Sequence, residues 1–395
     1  MNNFNFYSPT YFAFGKGKEA EVGQLVKRFG GSKVLIHYGG GSIKRNGAYQ
    51  GVVKSLEAAG IPYVELGGVM PNPRDGLVYE GIELCRKEGV DFVLAVGGGS
   101  SIDSAKAIAL GVPYEGDFWD YYCNPWDVEK ALPVGTVLTI AAAGSEGSNG
   151  SVITQEKSKL KWSAGGDALR PKFSVLNPEF YCTLSAYQTA CGITDMMIHI
   201  MERYFTDTTD VEITDRMCEG VLKAIIAETP KVMADLTNYQ ARANIMWSGM
   251  VAHNDILGVG RVQDWASHDI EHELSAWYDC AHGAGLAVIS PAWMKYVYKH
   301  NLNRFVQFAV RVWGCEMDFE NPERTALAGI AKWEEFLTSI GMPITFDEIG
   351  AKAEDIPLLT ERLFFNRPGC VGSFVPLQPE DCRRIYEIAA RGYGA

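Results

Sequence analysis

The stretch from Asp91 to Lys106 reads DFVLAVGGGSSIDSAK. Its first part, up to Val96, is a short apolar run, which predicts a buried strand, and Ser101 to Ala109 carries a helical pattern. The three glycines between them let the backbone approach a ligand closely, and the free N–H groups that open a helix attract phosphate. We therefore predict a strand, a candidate phosphate-binding turn and a helix. A glycine-rich turn without a ligand is the alternative.

The neighbouring segments repeat this alternation. Strands are predicted for 33–37, 61–66, 134–140 and 172–176, with a further short one at 152–154, and helices for 47–59 and 74–88. Such alternation is typical of βαβ units in a parallel sheet. Helical patterns dominate from Ser185 onward. We therefore predict an α/β dinucleotide-binding domain at residues 1–182 and an all-α domain at residues 183–395.

Composition narrows the possible partners. The chain has 395 residues and a net charge of −12, which argues against nucleic acid and anionic membranes because both require clustered basic side chains. No apolar run reaches about 18 residues, so we expect no membrane span. The nine cysteines are scattered, no CxxC occurs, and the start MNNFNF does not resemble a signal peptide. We therefore expect reduced thiols and a cytoplasmic location.

A second glycine cluster, Gly39 to Gly41, follows the first clear strand. Dinucleotide folds often place an acidic residue here to bind the adenosine ribose, but none occurs between Ile36 and Gly41. Ser42, Lys44 and Arg45 are available instead and could hold a 2′-phosphate. This favours NADP(H) over NAD(H). The alternative is that the two cations are merely solvated.

Four of the seven histidines lie in two clusters. Asp195 and His199 are one helical turn apart, as are His268 and His272, and His282 follows beside two glycines. An Asp and three His that converge on one point indicate a divalent metal site, and such ligands suit Fe(II), Zn(II), Mn(II) or Co(II). The alternative for each is a hydrogen-bonded structural residue, although polar pairs in apolar helices are costly unless they are paired. Only three histidines are needed, and we leave His272 off the metal.

Together these motifs resemble the iron-containing (group III) alcohol dehydrogenases, most closely their butanol dehydrogenase and NADPH-dependent aldehyde reductase branch. The resemblance covers essentially the whole chain. The matching segments are 38–44, 71–73, 97–106, 144–146, 195–199 and 268–282. It implies a dehydroquinate synthase-like fold with the metal and the nicotinamide in a cleft between the domains. It also implies Fe(II) as the favoured metal, with Zn(II) possible, and a homodimer formed through edge strands of the N-terminal domain.

The resemblance also implies the site residues. The metal ligands are Asp195, His199, His268 and His282. The cofactor contacts are Gly40, Gly41, Ser42, Asn72, Gly97, Gly98, Gly99, Ser100, Asp103, Thr139 and Lys161. NAD-preferring branches carry Asp where this chain has Gly40. The chain departs from its relatives at Ala143, where Thr is usual, and this removes one candidate hydroxyl contact.

We therefore expect a metal-dependent enzyme that interconverts small primary alcohols, butanol-like, and aldehydes by hydride transfer with NAD(P)(H). His272 is the candidate proton relay, with Asp269 or Glu273 nearby to orient it, and Trp162 and Trp265 are candidates to shape an apolar pocket. The alternatives are a polyol (glycerol-type) dehydrogenase or a lyase on the same fold. A non-catalytic protein that binds cofactor or metal is a further alternative.

Overall fold

The computed structural model describes residues 1–124 and 128–391, which contain eight strands and sixteen α-helices. The strands are β1 (Tyr11–Phe14), β2 (Val34–Tyr38), β3 (Tyr63–Leu66), β4 (Phe92–Gly97), β5 (Val134–Leu138), β6 (Gly150–Gln155), β7 (Leu160–Gly165) and β8 (Phe173–Leu176). The helices up to residue 204 are α1 (Val22–Arg28), α2 (Ser42–Arg45), α3 (Ala48–Ala58), α4 (Asp75–Glu88), α5 (Gly99–Gly111), α6 (Asp120–Cys123), α7 (Pro178–Tyr181) and α8 (Ala186–Tyr204). The later helices are α9 (Glu212–Ala234), α10 (Tyr239–His253), α11 (Ala266–Tyr278), α12 (His282–Val297), α13 (Leu302–Arg311), α14 (Pro322–Ser339), α15 (Ile356–Asn366) and α16 (Pro379–Arg391).

Six strands form one parallel sheet in the order β1-β8-β5-β4-β2-β3, and β6 and β7 form a separate antiparallel pair. The strand order reverses between β2 and β4, which pair in parallel with Tyr38 opposite Val96. From β2 the chain moves outward to β3, then returns to β4 and builds the other half of the sheet. Ligands of open α/β sheets bind at the carboxyl ends of the strands at such a reversal. Both glycine clusters, 39–41 and 97–99, lie at this point.

The central strands form because their residues are apolar on both faces, as expected for a parallel sheet covered on both sides. Every residue of β4 and β5 is buried. On one face, apolar side chains of α1 and α3 pack against β2, β4 and β8. Members of this core include Val22, Leu25, Val26, Val34, Ile36, Val52, Leu56, Leu94, Val96 and Phe173. The alternation read from the sequence therefore corresponds to a real layered core.

The chain divides into two compact units, each discontinuous in sequence. The sheet unit comprises Tyr7–Ser185 and Ala234–Asp255, and the helical unit comprises Met1–Phe6, Ala186–Met233 and residues 256–391. A single boundary at 182/183 was expected. In the structure, Met1–Phe6 belongs to the helical unit and Ala234–Asp255 belongs to the sheet unit. Helix α10 belongs to the sheet unit because the Arg242 guanidinium lies 4.2 Å from the centre of the Tyr181 ring and Gly249 packs closely against Gly144.

Two glycines let α12 pack tightly in the helical unit. A Cβ on Gly283 would overlap the backbone of Cys191 in α8, and one on Gly285 would overlap the carboxylate of Glu271 in α11. The absence of side chains at these positions therefore brings the first turn of α12 directly against α8 and α11. Within residues 1–124 and 128–391, no helix is both long and apolar enough to cross a membrane.

Candidate metal and dinucleotide sites

Three helices of the helical unit bring the predicted metal ligands together. Asp195 and His199 lie on α8, His268 lies on α11, and His282 is the first residue of α12. Asp195 Oδ1 is 3.3 Å from His199 Nδ1, 3.6 Å from His268 Nε2 and 3.9 Å from His282 Nε2. Ligand atoms around a tetrahedral cation with bonds of about 2.1 Å lie about 3.4 Å apart. The spacing therefore matches one coordination shell.

The mutual distances distinguish His199 from the other three ligands. Asp195, His268 and His282 each offer an atom within 4.8 Å of the others. His199 is placed through its contact with Asp195 and through its ring, whose centre is 4.5 Å from that of His268. The ligand set therefore has a compact core of Asp195, His268 and His282, and His199 lies next to Asp195 and His268.

Two buried carboxylates orient the histidines from behind. His268 Nδ1 contacts Glu202 Oε2, and His282 Nδ1 contacts Glu271 Oε2. Both glutamates are buried, and Glu202 also accepts the backbone N–H of His268 at 3.1 Å. A carboxylate that takes the Nδ1–H leaves the Nε2 lone pair for a metal. Here both Nε2 atoms face Asp195.

Sequence reasoning missed both glutamates. The signal that could have found Glu202 is a charged residue inside the largely apolar stretch IHIMERY, whereas Glu271 lies in the largely polar stretch HDIEHEL, where its charge does not stand out. Each shares a helix with predicted ligands. A carboxylate partner is the usual companion of a metal-binding histidine, so these positions were candidates for that role.

Unsatisfied polar atoms point to a cation at this position. Asp195 Oδ1 and His268 Nε2 are buried and have no hydrogen-bond partner among the described residues, which is unusual for buried polar groups. Burial lowers the pKa of His268, but the charges of Glu202 and Asp195 outweigh it and raise that pKa to about 10. The surroundings therefore strongly favour positive charge. One carboxylate and three imidazoles fit a divalent cation such as Fe(II) or Zn(II).

His272 lies beside this group. Its ring centre is 5.6 Å from that of His282 and 6.3 Å from that of His268. Arg367 Nη2 lies 3.4 Å from its Nδ1. The acidic neighbours expected to orient His272 have other partners. Asp269 pairs with Arg367 at 2.7 Å.

The other neighbour, Glu273, accepts from Arg362 at 3.1 Å and from Asn366 at 2.6 Å. It therefore ties α15 to α11. Arg367 contacts His272 Nδ1, and sequence reasoning missed it because nothing local links it to α11.

Trp265 precedes α11 in a strained backbone conformation. Its φ is +97°, where bulky residues rarely occur. Its ring stands edge-on to His268 at 5.5 Å and to His199 at 5.9 Å, and the Arg203 guanidinium lies 4.7 Å from its centre. The indole therefore forms an apolar wall beside the metal ligands. Trp162, the other candidate, lies in the sheet unit, where it stacks on Trp119.

The glycine loop after β4 packs against the segment that follows β5. Thr139 donates its backbone N–H to Gly97 at 2.9 Å. A Cβ on Gly98 would lie 2.8 Å from Ile140, so close packing also requires glycine here. Gly99 opens α5, with Ser100 partly exposed in its first turn. The structure therefore brings the four loop residues and Thr139 together at the end of β4.

The first glycine cluster adjoins this loop. A Cβ on Gly39 would lie 3.9 Å from the hydroxyl of Ser101. Gly40 and Gly41 lead directly into α2, which begins at Ser42. The two loops thus lie side by side at the strand-order reversal, as a bound dinucleotide requires.

The two cations of this segment end α2. Lys44 Nζ lies 4.7 Å from the centre of the Tyr49 ring. Arg45 closes the helix, with a guanidinium nitrogen 3.3 Å from where a Cβ on Gly41 would lie. Both cations therefore lie beside the first glycine cluster.

Lys161 donates to the side chain of Asn72 at 3.1 Å, and Asn72 has a positive φ of 52°. These two predicted cofactor residues are therefore neighbours. Asp103 is partly buried, and its carboxylate accepts from the Ser145 hydroxyl at 2.5 Å and from the Val152 N–H at 3.1 Å. In the structure Asp103 therefore ties α5 to the segment that leads into β6.

Comparisons with known proteins agree with this architecture. The model of the iron-containing alcohol dehydrogenase family matches residues 9–178, and that of the Fe-containing alcohol dehydrogenase family, C-terminal, matches residues 189–390. The chain is 41% identical to NADH-dependent butanol dehydrogenase A of Clostridium acetobutylicum, covering 98% of this chain and 99% of that protein. It is 35% identical to the NADPH-dependent aldehyde reductase of Escherichia coli K12, covering 98% and 100%. The crystal structure of NADH-dependent butanol dehydrogenase A from Thermotoga maritima superposes with a TM-score of 0.95 at 42% identity, covering 99% of both chains.

The fold and these matches define an oxidoreductase of the alcohol dehydrogenase and aldehyde reductase type. The chain belongs to the iron-containing alcohol dehydrogenase family. The family, the enzyme class and the fold class predicted from the sequence motifs are therefore confirmed.

Proposed function

We propose that the protein interconverts small primary alcohols, butanol-like in size, and their aldehydes, with one divalent cation and NAD(P)(H). The observation that carries the proposal is the convergence of Asp195 and three histidines, two of them oriented by carboxylates. The relatives named for butanol support the substrate class.

The four ligands would hold the cation, with Fe(II) favoured from the family and Zn(II) as the alternative. Bound there, the cation supplies the Lewis acidity that lowers the pKa of an alcohol or polarises a carbonyl. The loops after β2 and β4 would hold the dinucleotide, whose nicotinamide supplies or accepts the hydride. Trp265 excludes water from one side of the ligand group.

For the cofactor we propose a preference for NADP(H). The loop at Gly40 carries no carboxylate to repel a 2′-phosphate, and Lys44 and Arg45 supply positive charge beside it. The names of the relatives divide on this point, since the butanol dehydrogenases are NADH-dependent and the aldehyde reductase is NADPH-dependent. Cofactor choice in this chain therefore depends on these two cations.

The cofactor proposal is tested with the double variant Lys44→Ala/Arg45→Ala. We expect wild type to have a higher kcat/KM with NADPH than with NADH, and the variant to lose at least tenfold with NADPH alone, because a charged hydrogen bond of about 1.5–3 kcal/mol is removed. Lys54→Ala, an exposed lysine on α3, is the control. A wild-type preference for NADH, or equal losses with both cofactors, contradicts the proposal.

We also propose a homodimer formed through β1. This strand pairs with β8 on one side and ends the sheet on the other. Tyr11 and Phe14 on β1 and the adjacent Trp247 are exposed aromatic residues. Light scattering should give a dimeric mass for wild type and a monomeric mass for Phe14→Lys. A monomeric wild type overturns the proposal. From the nine free cysteines we further propose a reducing compartment, the cytoplasm.

The activity is tested by loading metal-free protein with Fe(II) or Zn(II) and following butyraldehyde reduction at the nicotinamide absorbance band. His268→Ala should lose both metal and turnover. His300→Ala is the matched control, because that exposed histidine bonds Asp207 instead. Turnover only with glycerol-type polyols would favour the polyol dehydrogenase. Tight cofactor binding without net turnover of any alcohol or aldehyde would favour a lyase or a binding protein.

A further inference from the structure

We infer that Arg367 is a positioning residue that fixes the tautomer of His272, so that the neutral ring carries its proton on Nε2 and serves as a hydrogen-bond donor. The contact joins Arg367 Nη2 and His272 Nδ1 at 3.4 Å. A guanidinium has only donors and keeps its proton in proteins. Nδ1 must therefore accept in this contact, which leaves Nε2 as the protonated nitrogen.

The position of Arg367 does not depend on His272. The same Nη2 atom bonds Asp269 at 2.7 Å, and the backbone N–H of Arg367 caps α15 by donating to Leu363 at 2.9 Å. One turn along α11 from Asp269, Glu273 binds two further side chains of α15. The helix end that carries Arg367 is thus anchored to α11 by two carboxylates, and the guanidinium is held in place when it meets the imidazole.

Two carboxylates near His272 have partners of their own. Glu271 offers a carboxylate oxygen within 4.8 Å of a His272 ring nitrogen, but its Oε2 already receives His282 Nδ1. Asp269 is neutralised by Arg367 itself. His272 Nδ1 contacts the guanidinium of Arg367, so a proton on Nδ1 would point one N–H donor at another.

This assignment changes the role expected for His272. A ring passes protons by gaining one on one nitrogen while it loses one from the other. With Nδ1 occupied by Arg367, that exchange is blocked. His272 instead donates a hydrogen bond from Nε2 and does not relay the proton that completes aldehyde reduction. This consequence rests on the proposed function, whereas the tautomer does not.

The tautomer is measured directly by NMR on the zinc-loaded protein labelled with ¹⁵N-histidine. The chain has only seven histidines, so the His272 signal is identified by its loss in His272→Gln. We expect the Nε2–H pattern in wild type and a mixture of tautomers in Arg367→Met. Arg362→Met, which removes the neighbouring α15 contact to Glu273, should keep the wild-type pattern. A proton on Nδ1 in wild type overturns the inference.

Kinetics supply the second readout. His272→Gln retains an N–H donor but cannot relay protons, so we expect kcat within about tenfold of wild type, whereas His272→Leu should lose the hundredfold or more typical of a lost catalytic group. Arg367→Met should lower kcat with little change in KM, and Arg367→Lys should restore part of it. Equal losses in His272→Gln and His272→Leu overturn the donor role. If no variant, nor wild type, turns over alcohol or aldehyde, the proposed function fails while the NMR result still decides the tautomer.

Discussion

Replacing Glu271 by Gln tests whether the carboxylates behind the histidines tune the metal site. Glu271 is fully buried and contacts His282 Nδ1. Glutamine preserves the shape and one acceptor oxygen but removes the charge. We expect the fold to survive and metal affinity to fall, because the imidazole loses the negative partner that strengthens it as a ligand.

The expected loss of metal affinity depends on how well each histidine–glutamate pair is shielded from water. Loss of such a partner typically lowers metal affinity 10–100-fold, which is about 1.4–2.7 kcal/mol. The His282 side chain is 25% exposed, so water can partly replace the missing charge, and Glu271→Gln should lie near tenfold. The His268 side chain is 8% exposed, and Glu202 also binds its backbone, so Glu202→Gln should lie near a hundredfold.

The assay is competition for Zn(II) between the protein and a chromophoric chelator, with circular dichroism to check folding. Glu273→Gln is the matched control, because this residue is equally buried on α11 but bonds Arg362 and Asn366. Its metal affinity should stay within twofold of wild type. Wild-type affinity in Glu271→Gln, or an equal loss in Glu273→Gln, would show that the carboxylate behind His282 does not tune the metal site.

Three further predictions concern other parts of the chain. Gly283→Ala should lower both the melting temperature and metal affinity, because its Cβ overlaps rigid backbone of α8. Gly220→Ala should stabilise by about 0.5–1 kcal/mol, because Gly220 of α9 is exposed and its Cβ would meet nothing within 4 Å; thermal unfolding that ranks the two variants in reverse would contradict the packing argument. Burial raises the pKa of Glu146 from 4.5 to about 7, so the folded state binds the proton more tightly and stability falls as pH rises from about 4.5 to 7; Glu146→Gln should remove up to about 3 kcal/mol of that fall in urea titrations, and an unchanged pH profile would show that the carboxyl is not responsible. Trp265→Gly should relieve backbone strain while it removes the apolar wall. The free energy of unfolding should therefore change little, whereas the KM for butanol should rise; an unchanged KM would show that Trp265 does not line the substrate site.

Local patterns predicted the centre of the sheet unit well. The strand expected at 91–96 and the helix at 101–109 are β4 and α5, found at Phe92–Gly97 and Gly99–Gly111. A buried apolar run that ends in glycines is enough to predict a strand followed by a turn and a helix, because all of the information is local. The same holds for α3 and α4, whose ends lie within one residue of those expected.

Elements defined by distant contacts were missed. Strand β1 is only four residues long, and Tyr11 and Phe14 on it are exposed, so neither length nor alternation marks it. Strand β7 exists through its pairing with β6. The assignment of α10 to the sheet unit likewise depends on contacts such as that between Arg242 and Tyr181, and helical periodicity does not tell which core a helix joins.

The metal site likewise combines residues that a local sequence pattern marks with residues that only distant contacts reveal. Asp195 and His199 were found because ligands one turn apart on a helix leave a local pattern, and His268 was found because it forms the same pattern with His272. Glu202 lies 66 residues from His268, and Arg367 lies 95 residues from His272, so only the folded chain reveals them as partners. Sequence therefore predicts the ligands, and the structure supplies what orients them.

We propose that turnover requires one cation held by Asp195 and three histidines. The most direct measurement is to strip the protein with a chelator and titrate Fe(II) or Zn(II) back while following butyraldehyde reduction with NADPH. We expect no activity in the stripped protein, recovery that saturates at one ion per chain, and no recovery in Asp195→Asn. Full turnover by stripped protein, or recovery in that variant at one ion per chain, would contradict it.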